Sequence, residues 1–204
     1  SDPTSTRQIV LNTSSDILSE KDVRIALQHA TNKQNISDGI FYGLEKPADT
    51  LFAKTIPYCN IDLEPFAYDL ELAGQILDDA GWKMGSGNVR EKDGQPLNID
   101  LLYNSDSVTE KSIAEYLQSE YQSIGVSLNI HGEEEQSYRD NMKAGNFDMV
   151  FNICWGTPYD PQSSLAAMRA PVYGDYAAQL GLDDKASRSM CFMASPTTSS
   201  LWYS

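Results

Sequence analysis

Between Leu97 and Ile153 the sequence alternates short apolar runs with amphipathic ones, and the joins between them are too short for any loose arrangement. Leu97-Asn98-Ile99-Asp100-Leu101-Leu102-Tyr103 alternates as a strand does. Ser107 and Glu110 have capping-box spacing and open a helix whose apolar stripe is Ile113, Tyr116, Leu117, Tyr121 and Ile124, with Gly125 as its stop. Val126, Leu128 and Ile130 return as a strand, Glu133 to Ala144 reads as a helix ended by Gly145, and Phe147 to Ile153 is a near-continuous apolar strand of the kind buried on both faces. A strand, helix and strand so closely joined cross over right-handed and lie parallel, so the chain is committed to an open α/β sheet. Such sheets bind ligands beyond the carboxyl ends of their strands.

Immediately beyond the last of those strands stands Trp155-Gly156-Thr157-Pro158-Tyr159-Asp160-Pro161. An indole and a phenol on a stiff turn at such an edge suit a concave site that holds a small ligand by stacking and one hydrogen bond. The competing account is a Trp packed as core and a Tyr satisfied locally.

The preceding half adds elements to the same sheet. Ile9-Val10-Leu11 is a short strand candidate, and Ser19 to Asp22 has capping-box spacing ahead of a helix with Val23, Ala26, Leu27 and Ala30 on one face. A second short helix covers Asn35 to Ile40. From Tyr42 to Tyr68, Pro47, Pro57 and Pro65 deny a ladder its donors, yet Leu51, Phe52, Ile56, Tyr58 and Phe66 carry too much apolar area to stay in water, which predicts a long ordered loop. Asp69 caps a helix with Leu70, Ala73, Ile76, Leu77 and Ala80 inward, Gly81 closes it, and Trp82 folds back onto it. Asp93-Gly94 supplies the positive φ angles of a tight hairpin between Arg90 and Pro96. After Lys185 no period is visible, and residues 186–204 read as a poorly structured tail.

Charge and cysteine usage narrow the function classes. With 29 acidic against 15 basic residues the net charge is -14, which repels phosphate backbones and excludes nucleic acid as a partner. No apolar run reaches bilayer-spanning length, and Ser1 to Arg7 has no signal-peptide core, so a leader is either removed or absent from this sequence. Cys59, Cys154 and Cys191 form no C-x-x-C pair, which leaves one disulfide open and writes neither a zinc knuckle nor a redox dithiol. No nucleophile elbow accompanies the Ser, His and Asp residues, and Gly85-Ser86-Gly87 lacks the ending of a phosphate loop. His131-Gly132-Glu133-Glu134-Glu135 suggests a metal site, but glutamates in a first helical turn are sufficiently explained by the exposed N–H groups there. His29 is expected to be satisfied or solvent-facing, and Arg24 and Arg169 to serve packing or ion pairs.

Taken in order, Asp22-Val23-Arg24-Ile25-Ala26-Leu27, Ala48-Asp49-Thr50-Leu51-Phe52, Tyr68-Asp69-Leu70 through Ala80-Gly81-Trp82, Gly94-Gln95-Pro96-Leu97, Gly132-Glu133-Glu134-Glu135 and the Trp155 to Pro161 motif resemble the peptide/nickel class of extracellular solute-binding proteins. Within that class the likeness is to the nickel-binding components of ABC importers and runs from about Ile9 to Lys185. It implies an α/β fold, a single lobe of the type II periplasmic-binding-protein clam shell with a mixed sheet flanked by helices. Residues 1–185 would be the C-terminal lobe, and 186–204 an atypical tail standing where helices return across the hinge. The N-terminal lobe and a leader or lipid anchor would lie outside this sequence.

The resemblance also implies a non-enzyme of the periplasm or cell surface. Its partners would be the N-terminal lobe of the same protein, a membrane ABC permease and a small-molecule or metal-chelate ligand, with no cofactor beyond a bound nickel chelate. Trp155 would be the aromatic wall and Tyr159 the ligand-facing phenol. Some nickel-binding members carry a His shortly after the M-R-x-P step, but here Met168-Arg169-Ala170-Pro171 leads to Val172-Tyr173. Tyr173 thus becomes a rim contact, and because a protonated phenol is a poor nickel ligand no metal-ligating residue is assigned. Nickel carried within a small organic chelate needs no protein imidazole. Di- or oligopeptide binding is the alternative within the class, and a hydrolase the alternative outside it.

Overall fold

The computed structural model describes residues 6–48, 50 and 64–154. Seven strands and five helices follow one another there: β1 Thr6–Leu11, α1 Lys21–His29, α2 Lys33–Ile40, α3 Leu70–Asp79, β2 Lys83–Met84, β3 Arg90–Lys92, β4 Gln95–Pro96, β5 Asn98–Asn104, α4 Val108–Ser123, β6 Ser127–Glu133, α5 Glu135–Ala144 and β7 Met149–Cys154. The main sheet has the order β1-β7-β5-β6. β5 is parallel to β6 and to β7, as the crossover argument requires, and β1 joins β7 antiparallel with Thr6 opposite Cys154 and Leu11 opposite Met149. The result is the mixed α/β sheet expected from the sequence.

Period-two alternation sorts the strands onto two faces. Ile9, Leu11, Ile99, Leu101, Tyr103, Leu128, Met149 and Phe151 face a large core built with Val23, Ala26 and Leu27 of α1, Ile36 of α2, Ala73 and Leu77 of α3, and Ile113, Leu117 and Tyr121 of α4. On the reverse face, among the described residues, Val10, Leu102 and Val150 meet Tyr138, Phe147 and Met142, so α5 packs on that side. α4 and α5 therefore take opposite faces, because the first crossover steps outward from β5 to β6 and the second steps back past β5 to β7.

Helix ends follow the sequence signals closely. Asn32, Asp69 and Ser107 accept from the N–H groups of Asn35, Leu72 and Glu110. α3 closes with Gly81 N–H on Asp78 and Trp82 N–H on Leu77, and α4 repeats the pattern with Gly125 on Gln122 and Val126 on Tyr121. Trp82 is 2% exposed, folded back as expected. The hairpin turn is confirmed by φ of 53° at Asp93 and 80° at Gly94.

Three local expectations need correction. The first helix is capped by Glu20 without a side-chain bond, since the Ser19 hydroxyl donates instead to the Asp16 carbonyl at 2.7 Å. β5 is shifted one residue forward of Leu97 to Tyr103, because Leu97 spends its N–H on the Arg90 carbonyl at 2.7 Å. Glu133 ends a strand rather than opening a helix, because parallel pairing of Asn104 with Glu133 extends β6 to that point.

Candidate functional site

The carboxyl ends of β5, β6 and β7 and the start of β1 share one edge of the sheet. The chains leaving β5 and β6 diverge to opposite faces, an arrangement that opens a crevice in many α/β sheets. Here the two are pinned together: Ser105 N–H donates to the Glu133 carbonyl at 2.8 Å, and Asn104 Nδ2 donates to Glu135 Oε2 at 2.5 Å. The open part of the edge is consequently the side of β1 and β7. β7 ends at Cys154, so the chain enters the Trp155 to Pro161 motif from this edge.

Two charged groups are built into that side. Glu110 is only 8% exposed, and its Oε2 accepts the Asn104 N–H at 2.9 Å. Burial pushes its carboxyl above the usual range. The Asn104 N–H and the Arg7 guanidinium oppose that shift, and Glu135 adds to it. Arg7, partly buried on β1, holds its Cζ 5.9 Å from the centroid of the Phe41 ring. Glu110 therefore does not complete a capping box: its carboxylate reaches Asn104 rather than the Ser107 N–H, which bonds the Asn104 carbonyl. Sequence reasoning passed over both residues, since Arg7 precedes the apolar run and Glu110 matched a capping pattern. No local sequence signal marked either one, because their meeting with Phe41 at one sheet edge is a tertiary contact.

Trp155, Tyr159 and Tyr173 lie outside the described residues, as do Arg169, Cys59, Cys191 and the tail from residue 186. Of the apolar residues expected to order the long loop, Phe66 is described and packs edge-on against His29 at 5.2 Å between ring centroids. His29 Nδ1 is 2.8 Å from the Ala67 carbonyl, so this imidazole is satisfied locally. Arg24, 4% exposed, donates to the carbonyls of Leu18 and Ser19 at 2.7 and 2.9 Å.

The His131 cluster is dispersed by the strand. His131 Nε2 stands 3.2 Å from Asp100 Oδ1, and Glu135 turns to Arg139 and Asn104. Among the described residues no group of three or more His, Cys, Asp or Glu side chains is gathered at metal-binding distance. A cleft of about 420 Å³ does run along the α5 face, lined by Asn12, Asp100, Leu102, His131, Asn141 and Asp148 among others. Its lining runs from the segment before β7, Gly145 to Asp148, to Glu133 at the end of β6. Two of its carboxylates are hydrogen-bonded, Asp148 accepting from the Asp100 N–H at 2.9 Å and Asp100 from Asn129 Nδ2 at 3.0 Å.

Comparison with known proteins agrees with this architecture. Residues 1–175 match the family model described as bacterial extracellular solute-binding proteins, family 5 middle. The nickel-binding periplasmic protein of Escherichia coli K12 is 42% identical over 186 residues, which is 91% of this chain and 36% of that protein. The crystal structure of NikA from Brucella suis in complex with Fe(III)-EDTA superposes with a TM-score of 0.82 at 45% identity, covering 92% of this chain and 38% of that one. The oligopeptide-binding protein AppA of Bacillus subtilis is 28% identical over 145 residues, 67% of this chain and 26% of that protein. The chain thus spans 26% to 38% of the length of these relatives, and over that span it carries one lobe's worth of a type II binding-protein fold. By family match, identity and fold, this chain belongs to the bacterial extracellular solute-binding proteins of family 5.

Proposed function

We propose that residues 1–185 form the C-terminal lobe of a two-lobed solute-binding protein that delivers nickel, held as a small-chelator complex, to a membrane ABC permease. The 42% identity to a nickel-binding periplasmic protein across 91% of the chain carries this reading. Trp155 supplies the stacking wall, Tyr159 a hydrogen-bond donor and Tyr173 a rim contact, and the N-terminal lobe of the same protein completes the pocket. The protein works in the periplasm or at the cell surface, where a lipid anchor would hold it, and residues 186–204 take no part in binding. Donors for the metal come from the chelator, so no protein side chain need ligate nickel.

Calorimetric titration of the complete protein tests this. Nickel-histidine or Fe(III)-EDTA should bind, nickel chloride alone should bind more weakly, and Trp155→Ala should weaken the chelate by roughly 3- to 10-fold, the range of one aromatic contact. Binding of bare nickel as tight as that of the chelates would overturn the reading. Peptide binding is the second reading, favoured by the likeness to an oligopeptide-binding protein. It predicts that di- and oligopeptides compete and that chelates do not.

A further inference from the structure

Arginines among the described residues are otherwise committed. Arg24 donates to two carbonyls, Arg90 donates to the carbonyls of Trp82 and Ile124 and pairs with Asp78, and Arg139 pairs with Glu135. Arg7 differs. No carboxylate of a described residue lies within ion-pair distance of its guanidinium, and its Nε is buried without an acceptor. Its Nη1 and Nη2 are not among the buried atoms, so in a chain of net charge -14 this guanidinium remains open to an anionic group from outside the fold.

Its position narrows what that is. Arg7 pairs with Ile153 one rung from the end of the β1–β7 ladder, at the edge from which the chain enters the Trp155 to Pro161 motif. The ring of Phe41, the residue that closes α2, has its centroid 5.9 Å from Cζ of Arg7, and no hydrogen bond from Nη1 or Nη2 to a described residue is present. Such a planar fork fits a carboxylate by two parallel bonds. The nearby Glu110 carboxyl is occupied by the Asn104 N–H.

We propose that Arg7 is a ligand-binding residue of this lobe that receives a carboxylate of the metal-bound chelator at the carboxyl edge of the sheet. The assignment rests on the chelate reading above, and it makes the lobe a contributor of charge recognition as well as of aromatic surface. A purely structural Arg7, serving Phe41 and Glu110, would affect every ligand alike.

Titrations of the complete protein and its Arg7→Gln variant with Fe(III)-EDTA and with nickel bis-histamine, an imidazole–amine chelate that has no carboxylate, separate the two roles. Loss of one charge-assisted contact should weaken Fe(III)-EDTA about 10- to 100-fold, with a change of less than about twofold for nickel bis-histamine. Arg7→Lys, which keeps the charge but not the fork, should fall between wild type and Arg7→Gln for Fe(III)-EDTA. Equal losses for both ligands, or unchanged affinity for Fe(III)-EDTA, would overturn the assignment. Should the wild-type protein bind neither chelate, the chelate reading itself fails, which is a different outcome from a variant that binds as wild type does. Thermal melting of both variants above the titration temperature establishes that each is folded.

Discussion

At the scale of single residues, one buried guanidinium joins three separate elements. Arg90, 5% exposed, gathers the carbonyls of Trp82 and Ile124 at 2.7 Å each and Asp78 Oδ1 at 3.0 Å, so one guanidinium ties β3 to the ends of α3 and α4. The Arg90 bond holds the Asp78 carboxyl below its usual range despite some desolvation. Glu110 behaves oppositely. Because burial raises its folded value above the unfolded one, the native state binds the proton more tightly, and the stability this contributes is present at low pH and lost as pH rises through the folded value. Glu110→Gln, which still accepts from Asn104, should therefore gain melting temperature relative to wild type between about pH 4 and about pH 8. Thermal denaturation at the two pH values reads the gap, and a gap that narrows or reverses would contradict the burial account.

Among the elements, α3 and α4 end in the same way, with a glycine in the left-handed region followed by an apolar residue whose N–H returns to the last turn. These ends were legible because the constraint is local: only glycine takes that conformation cheaply, and the following Trp82 or Val126 must be buried. What differs between glycines is the space around them. A β-carbon at Gly125 would meet Met84 Sδ at 2.7 Å and Arg90 Cγ at 2.8 Å, whereas one at Gly94, also at positive φ, would meet nothing within 4 Å. Gly94→Ala should cost about 1–2 kcal/mol from its backbone alone, and Gly125→Ala distinctly more. Urea denaturation of the two variants compares them directly, and equal losses would mean that the neighbours of Gly125 yield freely. The misread elements failed for non-local reasons. Glu133 stays in a strand because β5 pairs with it, and Ser19 loses its capping role to a bond with Asp16, neither of which spacing along the chain reveals.

At the scale of the molecule, the sheet is unevenly clothed among the described residues: α1 to α4 bury one face in a continuous core, and α5 packs on the other. The carboxyl edge presents Arg7 and Glu110, but a ligand bound there to one lobe keeps much of its surface in water. If a complete pocket held a chelate near micromolar, about -8 kcal/mol, half the contacts would leave about -4 kcal/mol, or roughly millimolar. Calorimetry of this 204-residue chain beside the complete protein should show that loss, and equal affinities would mean that the lobe carries the whole site.

Sequence by itself determined the order and kind of the elements, the parallel crossovers and the family, because periodicity, caps and turn glycines act over a few residues and an ordered series of motifs is specific. It also marked the Trp155 motif as following a buried strand. Only the tertiary structure decided that β1 inserts antiparallel beside β7, that α4 and α5 take opposite faces, and that Arg7, Phe41 and Glu110 meet at one edge. Those outcomes depend on contacts between residues up to 148 positions apart in the chain, as for Thr6 and Cys154, and no local preference specifies which distant partner a strand or a guanidinium will meet.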